Sequence, residues 1–116
     1  MKWPHERAFY RIEYPTRERP LFETDSEVLD VIDACESGIR YQVRMVRPQK
    51  GDVVRGTLRF RRGAEVDVEG VVVRVFEEYA AVQLKPPGIP LRIIFDEQKF
   101  LLRHYPQQIR RPPQSA

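Results

Sequence analysis

The chain has 116 residues, 41% hydrophobic and 32% charged, so it can bury one small core beneath a very polar surface. No run approaches the roughly 18 apolar residues of a membrane helix, the start MKWPHERAFYR lacks the apolar stretch of a secretory signal, and one cysteine, Cys35, excludes an internal disulfide; the expectation is a cytoplasmic protein without membrane insertion. Net charge is only +3, yet 16 of the 20 basic residues are Arg, the side chain suited to bidentate contact with phosphates and guanine edges.

Residues 1–20 are polar and punctuated by Pro4, Pro15 and Pro20, which disfavour a long helix. They read as a flexible N-terminal arm, ahead of a folded unit over 21–106 and a disordered tail over 107–116. Two strands are expected at about Glu27–Ile32 and Ile39–Met45; the second alternates Ile39, Tyr41, Val43 and Met45 with Arg40, Gln42 and Arg44. A hairpin follows, with a three-residue loop Arg62-Gly63-Ala64 and Gly63 in the left-handed position. The expected pairs are Arg61 with Glu65, Arg59 with Asp67 and Thr57 with Glu69 outside, and Phe60 with Val66 and Leu58 with Val68 inside.

At Gly70 the apolar phase is expected to shift, which suggests a β-bulge there. Beyond it Val71, Val73 and Val75 face Leu84, Val82 and Ala80 across a Glu77-Glu78 turn, on the core side. Val72, Arg74, Phe76, Tyr79 and Ala81 then form an exterior patch. A helix is expected near 90–105 from the spacing of Leu91, Ile94, Phe95, Leu101, Leu102 and Tyr105, with Gln98 in the stripe. Pro90 suits a first-turn position, Asp96 is an alternative N-cap, and Pro106 ends the pattern. Five or more strands with one terminal helix imply a mainly β chain folded as a small barrel covered by a helix.

Catalytic signatures are thin. His5 and His104 have no metal-ligand spacing, and CxxC, HxxxH and HExxH are all missing. Ser26, Ser37 and Ser115 are not set in a nucleophile elbow, and the six glycines form no phosphate loop. The expectation is a protein that is not an enzyme and needs no metal or cofactor.

Two segments stand out. Arg7-Ala8-Phe9-Tyr10-Arg11 is an RxxxR, a spacing that keeps both side chains on one side. Alone it says little: about two such pairs arise by chance in so Arg-rich a chain, and there are three, at Arg7/Arg11, Arg40/Arg44 and Arg55/Arg59. The second is Asp33-Ala34-Cys35-Glu36-Ser37-Gly38, a polar loop expected between two strands, where Asp33 can accept two parallel hydrogen bonds and Gly38 permits close backbone approach.

In this order and at this distance the two segments resemble the PilZ domain family, which carries RxxxR in an N-terminal arm and then a [D/N]xSxxG loop. The resemblance covers almost the whole chain. It implies a six-stranded antiparallel β-barrel with a C-terminal α-helix, and a receptor for the bacterial second messenger cyclic di-GMP with no catalytic activity. Carried over by residue, Arg7 and Arg11 would grip phosphate oxygens or the guanine O6/N7 edge. Asp33 would accept from the guanine N1–H and N2 amino donors, which adenine does not offer, and Gly38 would let the loop approach the ligand. Arg74, beside Phe76 and Tyr79, is a weaker candidate for stacking on guanine.

Cys35 stands where the family has Ser, and a thiol hydrogen-bonds more weakly. Ser37 replaces a frequent Gly. Glu6, immediately before Arg7, opposes dense phosphate charge and favours one bound dinucleotide over an intercalated pair. The implied role is a ligand-ordered arm that signals through a protein partner. Two alternatives stand beside it. One is a PilZ-like adaptor that has lost nucleotide binding, motivated by Cys35 and Ser37. The other is a basic barrel that binds single-stranded nucleic acid through Arg74, Phe76 and Tyr79, which the low net charge and paired hairpin charges disfavour.

Overall fold

A computed structural model describes residues 11–106. In chain order these form β1 (Ile12–Glu13), a 3-10 turn at Thr16–Glu18, β2 (Leu21–Glu23), β3 (Val28–Cys35) and β4 (Gly38–Gln42). Then come β5 (Val53–Arg59), β6 (Glu65–Val75), β7 (Tyr79–Leu84) and α1 (Leu91–His104). Every strand pairing is antiparallel. Strands β2 to β7 close in the order β3-β2-β5-β6-β7-β4 and back to β3, while β1 extends the sheet alongside the far end of β3. The six-stranded antiparallel barrel with a C-terminal helix is therefore the fold that the resemblance implied.

Period-2 alternation fills the interior. Phe22, Leu29, Val31, Ile39, Tyr41, Leu58, Val72, Ala80 and Val82 point inward and are buried. Helix α1 lies against the barrel end that carries β1 and the β5–β6 loop, since its Glu97 bonds to both Tyr14 and Arg62. Its buried positions are Ile93, Ile94, Glu97 and Leu101. Leu91, Phe95 and Leu102, expected in the core stripe, are 37%, 42% and 43% exposed. The stripe is rotated because a charged residue, Glu97, belongs to the buried face and finds its partners there. Pro90 caps the helix, so Asp96 lies within it and is not its start.

The first hairpin is displaced from its expected register by two residues. Leu58 pairs with Val66, Thr57 with Asp67 and Arg59 with Glu65, where Arg59 and Glu65 also form an ion pair. The loop is Phe60–Ala64, closed by Phe60 N–H donating to Ala64 O, and Gly63 takes φ +109° as expected. An even displacement leaves every side chain on its expected face, so alternation alone could not detect it.

The phase shift occurs three residues later than expected. Alternation runs unbroken through Val68, Gly70 and Val72, all buried, and the irregularity lies between Val72 and Arg74. Val72 thus faces inward opposite Val82, Val71 is 41% exposed and pairs with Gln83. Gly70 has a different role: a Cβ there would sit 2.4 Å from Gln83 O, so glycine permits close approach of β7. Strand β4 stops at Gln42, short of the expected Met45. From there the chain turns away, and Arg47 donates to Glu77 O at 2.9 Å and Phe76 O at 2.6 Å. Within the expected flexible arm, residues 11–20 pack on the barrel: Ile12 and Tyr14 are buried, and Tyr14 N–H donates to Ile32 O at 3.1 Å. Residues 1–10 of that arm and the expected tail 107–116 lie outside the described residues.

Candidate ligand site on the barrel wall

Strand β3 contains a second irregularity, between Val31 and Asp33. Simple alternation would send Asp33 inward with Val31. The bulge instead lets Val31 and Ala34 both face the core, at 0% and 1% exposure, and puts Asp33 on the outer wall. The polar segment is consequently not a loop throughout. Asp33, Ala34 and Cys35 belong to β3, only Glu36 and Ser37 make the turn, and Cys35 faces Gly38 across the hairpin. That turn is tied down from below: Ile89 N–H donates to Glu36 O and Leu84 N–H to Ser37 O. A Cβ on Gly38 would come within 2.9 Å of Val82 O, so glycine here serves the approach of β7 to the hairpin.

Asp33 is on the outer wall, yet only 4% exposed. Arg11 donates from Nη1 to Oδ1 at 3.1 Å, and Arg40 Nε lies 3.5 Å from Oδ2. Burial pushes the carboxyl above its ordinary value; Arg11 and then Arg40 oppose that, and Glu13 on the neighbouring β1 adds to it. Arg11 is thus brought to Asp33 across 22 residues of sequence. Arg7 falls outside the described residues.

The register then lines up a row across five strands. Glu13 pairs with Asp33, Asp33 with Arg40, Arg40 with Ala81 and Ala81 with Arg74. Arg40 and Arg74 therefore flank the small Ala81 two strand spacings apart, about 10 Å. Cys35 and Gly38 lie on the same outer face one step along, and the Cys35 thiol is 3.7 Å from the Ser37 hydroxyl. Arg40 is a member of this site that sequence reading placed only on an outward strand face. The available signal was its position two residues after Gly38, directly across the hairpin from Asp33.

Phe76 and Tyr79 stack on one another with ring centroids 4.4 Å apart, and the Arg40 guanidinium lies 5.5 Å from the Tyr79 centroid. Both rings are on the outer wall as expected, but they occupy each other's faces. A row that holds Asp33, Arg40 and Arg74, with Arg11 bonded to Asp33 from outside it, can recognise a flat donor edge and an anion at once.

A second charged cluster, unforeseen in the sequence, holds the barrel end. Glu97 is 2% exposed. It accepts from Tyr14 Oη at 2.8 Å and twice from Arg62, Nε and Nη2, each at 3.1 Å. Arg62 also donates to Glu18 at 2.8 Å, Tyr105 Oη donates to Glu18 at 2.6 Å, and the guanidinium lies 3.9 Å from the Phe100 centroid. Burial, with Glu97 beside it, pushes the Tyr14 phenol far above its ordinary value. The cluster joins α1, the β5–β6 loop and the segment that begins with Arg11. Among the described residues no group of three or more His, Cys, Asp or Glu could hold a metal ion, and no helix is long and apolar enough to cross a membrane.

No family model matches the chain, and no curated protein matches it. Among solved structures, the Bacillus subtilis inhibitor of motility MotI/DgrA is similar, with a TM-score of 0.62, 15% sequence identity and 95% of this chain covered. The chain spans 56% of that protein's length. At this identity the likeness is one of fold, a six-stranded barrel with a C-terminal helix.

Proposed function

We propose that the chain is a cyclic di-GMP-binding receptor or adaptor that acts on a protein partner. The observation that carries this reading is Asp33 held by Arg11 and Arg40 on the barrel wall, with Arg74 two strands beyond Arg40 in the same row. Arginine and carboxylate are complementary to the phosphates and to the guanine N1–H and N2 donors of the ligand. Arg11 donates to Asp33 Oδ1. Guanine would take that position and free Arg11 for the phosphates, where Arg7 would join it as the arm orders over the ligand. Likeness of fold to a motility inhibitor supports a regulatory role over a catalytic one.

Calorimetric titration with cyclic di-GMP tests the reading. The expected result is a dissociation constant on the order of micromolar, one ligand per chain, and at least tenfold weaker binding in Arg11→Ala, Asp33→Ala and Arg74→Ala. Cyclic di-AMP, which lacks the paired donors, is expected to bind at least tenfold more weakly. Absence of binding at about 1 mM ligand overturns it. That result favours the second reading, an adaptor independent of nucleotide, motivated by the two guanidiniums already on Asp33 and by Cys35 in place of Ser.

A further inference from the structure

At the barrel end opposite α1, the turn 24–27 and the loop 43–52 leave a groove of about 520 Å³. The edges of Phe22, Leu29 and Tyr41 form its floor. Its lips are apolar and uncovered: Val46 and Val53 are 57% and 61% exposed, and neighbouring Met45 is 83% exposed. A second groove of about 720 Å³ runs from it past β5 and β6 to Lys85–Gly88; the two share Thr24, Asp25 and Arg55. Large exposed apolar side chains around a concavity mark an interaction surface.

The charge of this channel is the reverse of the chain's. The protein is +3 overall, yet six carboxylates line the two grooves against two cations, Arg55 and Lys85. Both cations lie against one carboxylate, Glu69, at 3.8 and 3.7 Å. Among the described residues, Asp25, Glu27, Asp52 and Asp67 take part in no ion pair. Glu27 and Asp52 accept only backbone N–H groups, from Met45 and Gln49, and Asp67 accepts the Thr57 hydroxyl. The channel thus combines an apolar mouth with unneutralised negative charge, which repels nucleic acid and attracts cationic peptide.

We propose that this channel is the docking surface for a basic segment of a partner protein. An aliphatic or aromatic side chain would enter the mouth between Val46 and Val53, and flanking Lys or Arg would lie along the acidic groove. None of Asp33, Arg40 and Arg74 lines either groove. The inference therefore does not rest on the nucleotide reading, and its test needs no nucleotide.

The probe is a fluorescein-labelled peptide alternating Arg and Leu, with an Asp and Leu peptide beside it, read by anisotropy and by amide chemical shifts of the full chain. The Arg peptide is expected to bind with a dissociation constant on the order of tens of micromolar, shifting residues of the two grooves. The combined change Asp25→Asn, Glu27→Gln and Asp52→Asn is expected to weaken it at least tenfold, and Val53→Ser at least fivefold. Removing equal charge elsewhere, by Asp30→Asn, Glu77→Gln and Glu78→Gln, is expected to alter binding less than twofold. Equal weakening by the two triple variants, equal binding of the acidic peptide, or shifts confined to another face overturns the proposal. A clear gain in affinity on removing residues 107–116 also overturns it, because it assigns the groove to the chain's own Ile109-Arg110-Arg111 segment.

Discussion

Replacing Arg62 by Met tests what holds the helix to the barrel. The change keeps most of the apolar stem of the side chain but removes the two charge-assisted bonds to Glu97 and the one to Glu18. That carboxylate, 2% exposed, would keep only the Tyr14 hydroxyl as donor. Breaking a buried pair from one side costs about 3–5 kcal/mol because a desolvated charge is left uncompensated. Tyr14 keeps one bond and Arg62's side chain is 28% exposed, so about 3 kcal/mol is expected here. For a chain of 116 residues this corresponds to a fall in Tm of about 12 °C. Urea and thermal unfolding followed by circular dichroism would read both. Adding Glu97→Met to Arg62→Met is expected to restore about 2 kcal/mol, since apolar residues replace a buried pair at little loss. About 1 kcal/mol stays lost because Tyr14 then has no acceptor and Glu18 has lost Arg62. A double variant no more stable than Arg62→Met would refute the reasoning, because the loss would then not come from a stranded carboxylate.

Two further outcomes follow from the same geometry. Cys35→Ser is expected to strengthen cyclic di-GMP binding about fivefold, on the order of 1 kcal/mol for a recovered hydrogen bond; unchanged affinity would show that position 35 does not meet the ligand. On the acid side, the Tyr105 hydroxyl and then Arg62 hold Glu18 below its ordinary value of 4.5. Its contribution is therefore present above that value and is lost as pH falls through the folded value. Asp33 has the opposite sign: raised above 3.8, it stabilises the fold while protonated and loses this as pH rises through its folded value. Urea melts between about pH 3 and 6 are expected to show a shallower acid-side loss in Glu18→Gln and a steeper one in Asp33→Asn. An identical slope in Glu18→Gln would disprove its role.

Much of this protein was legible from local pattern. Alternation identified which of Leu58, Val68, Ala80 and Val82 face inward, because the side-chain period of a strand is 2 wherever pairing is regular. The spacing of Asp33 and Gly38 marked the hairpin that carries the candidate site. Two kinds of information were missing. Alternation does not change under an even shift, so the β5–β6 register was displaced by two residues without any side chain changing face. A bulge has no obligatory residue, so the sequence points to Gly70, whose own role is close approach, while the phase shift lies at Val73.

The charges were less legible still. Glu97 carries no signal of burial in the sequence, because its partners lie 83 and 35 residues away at Tyr14 and Arg62. The row from Asp33 through Arg40 to Arg74 likewise depends on which strands are neighbours. By itself the sequence determined a barrel with a helix, an arginine-rich chain and a short polar hairpin. Only tertiary pairing decided which arginines reach Asp33 and which carboxylates are buried or left unneutralised. Coulombic and hydrogen-bonding partners are selected by distance in space, and a closed barrel makes neighbours of residues that the chain keeps far apart.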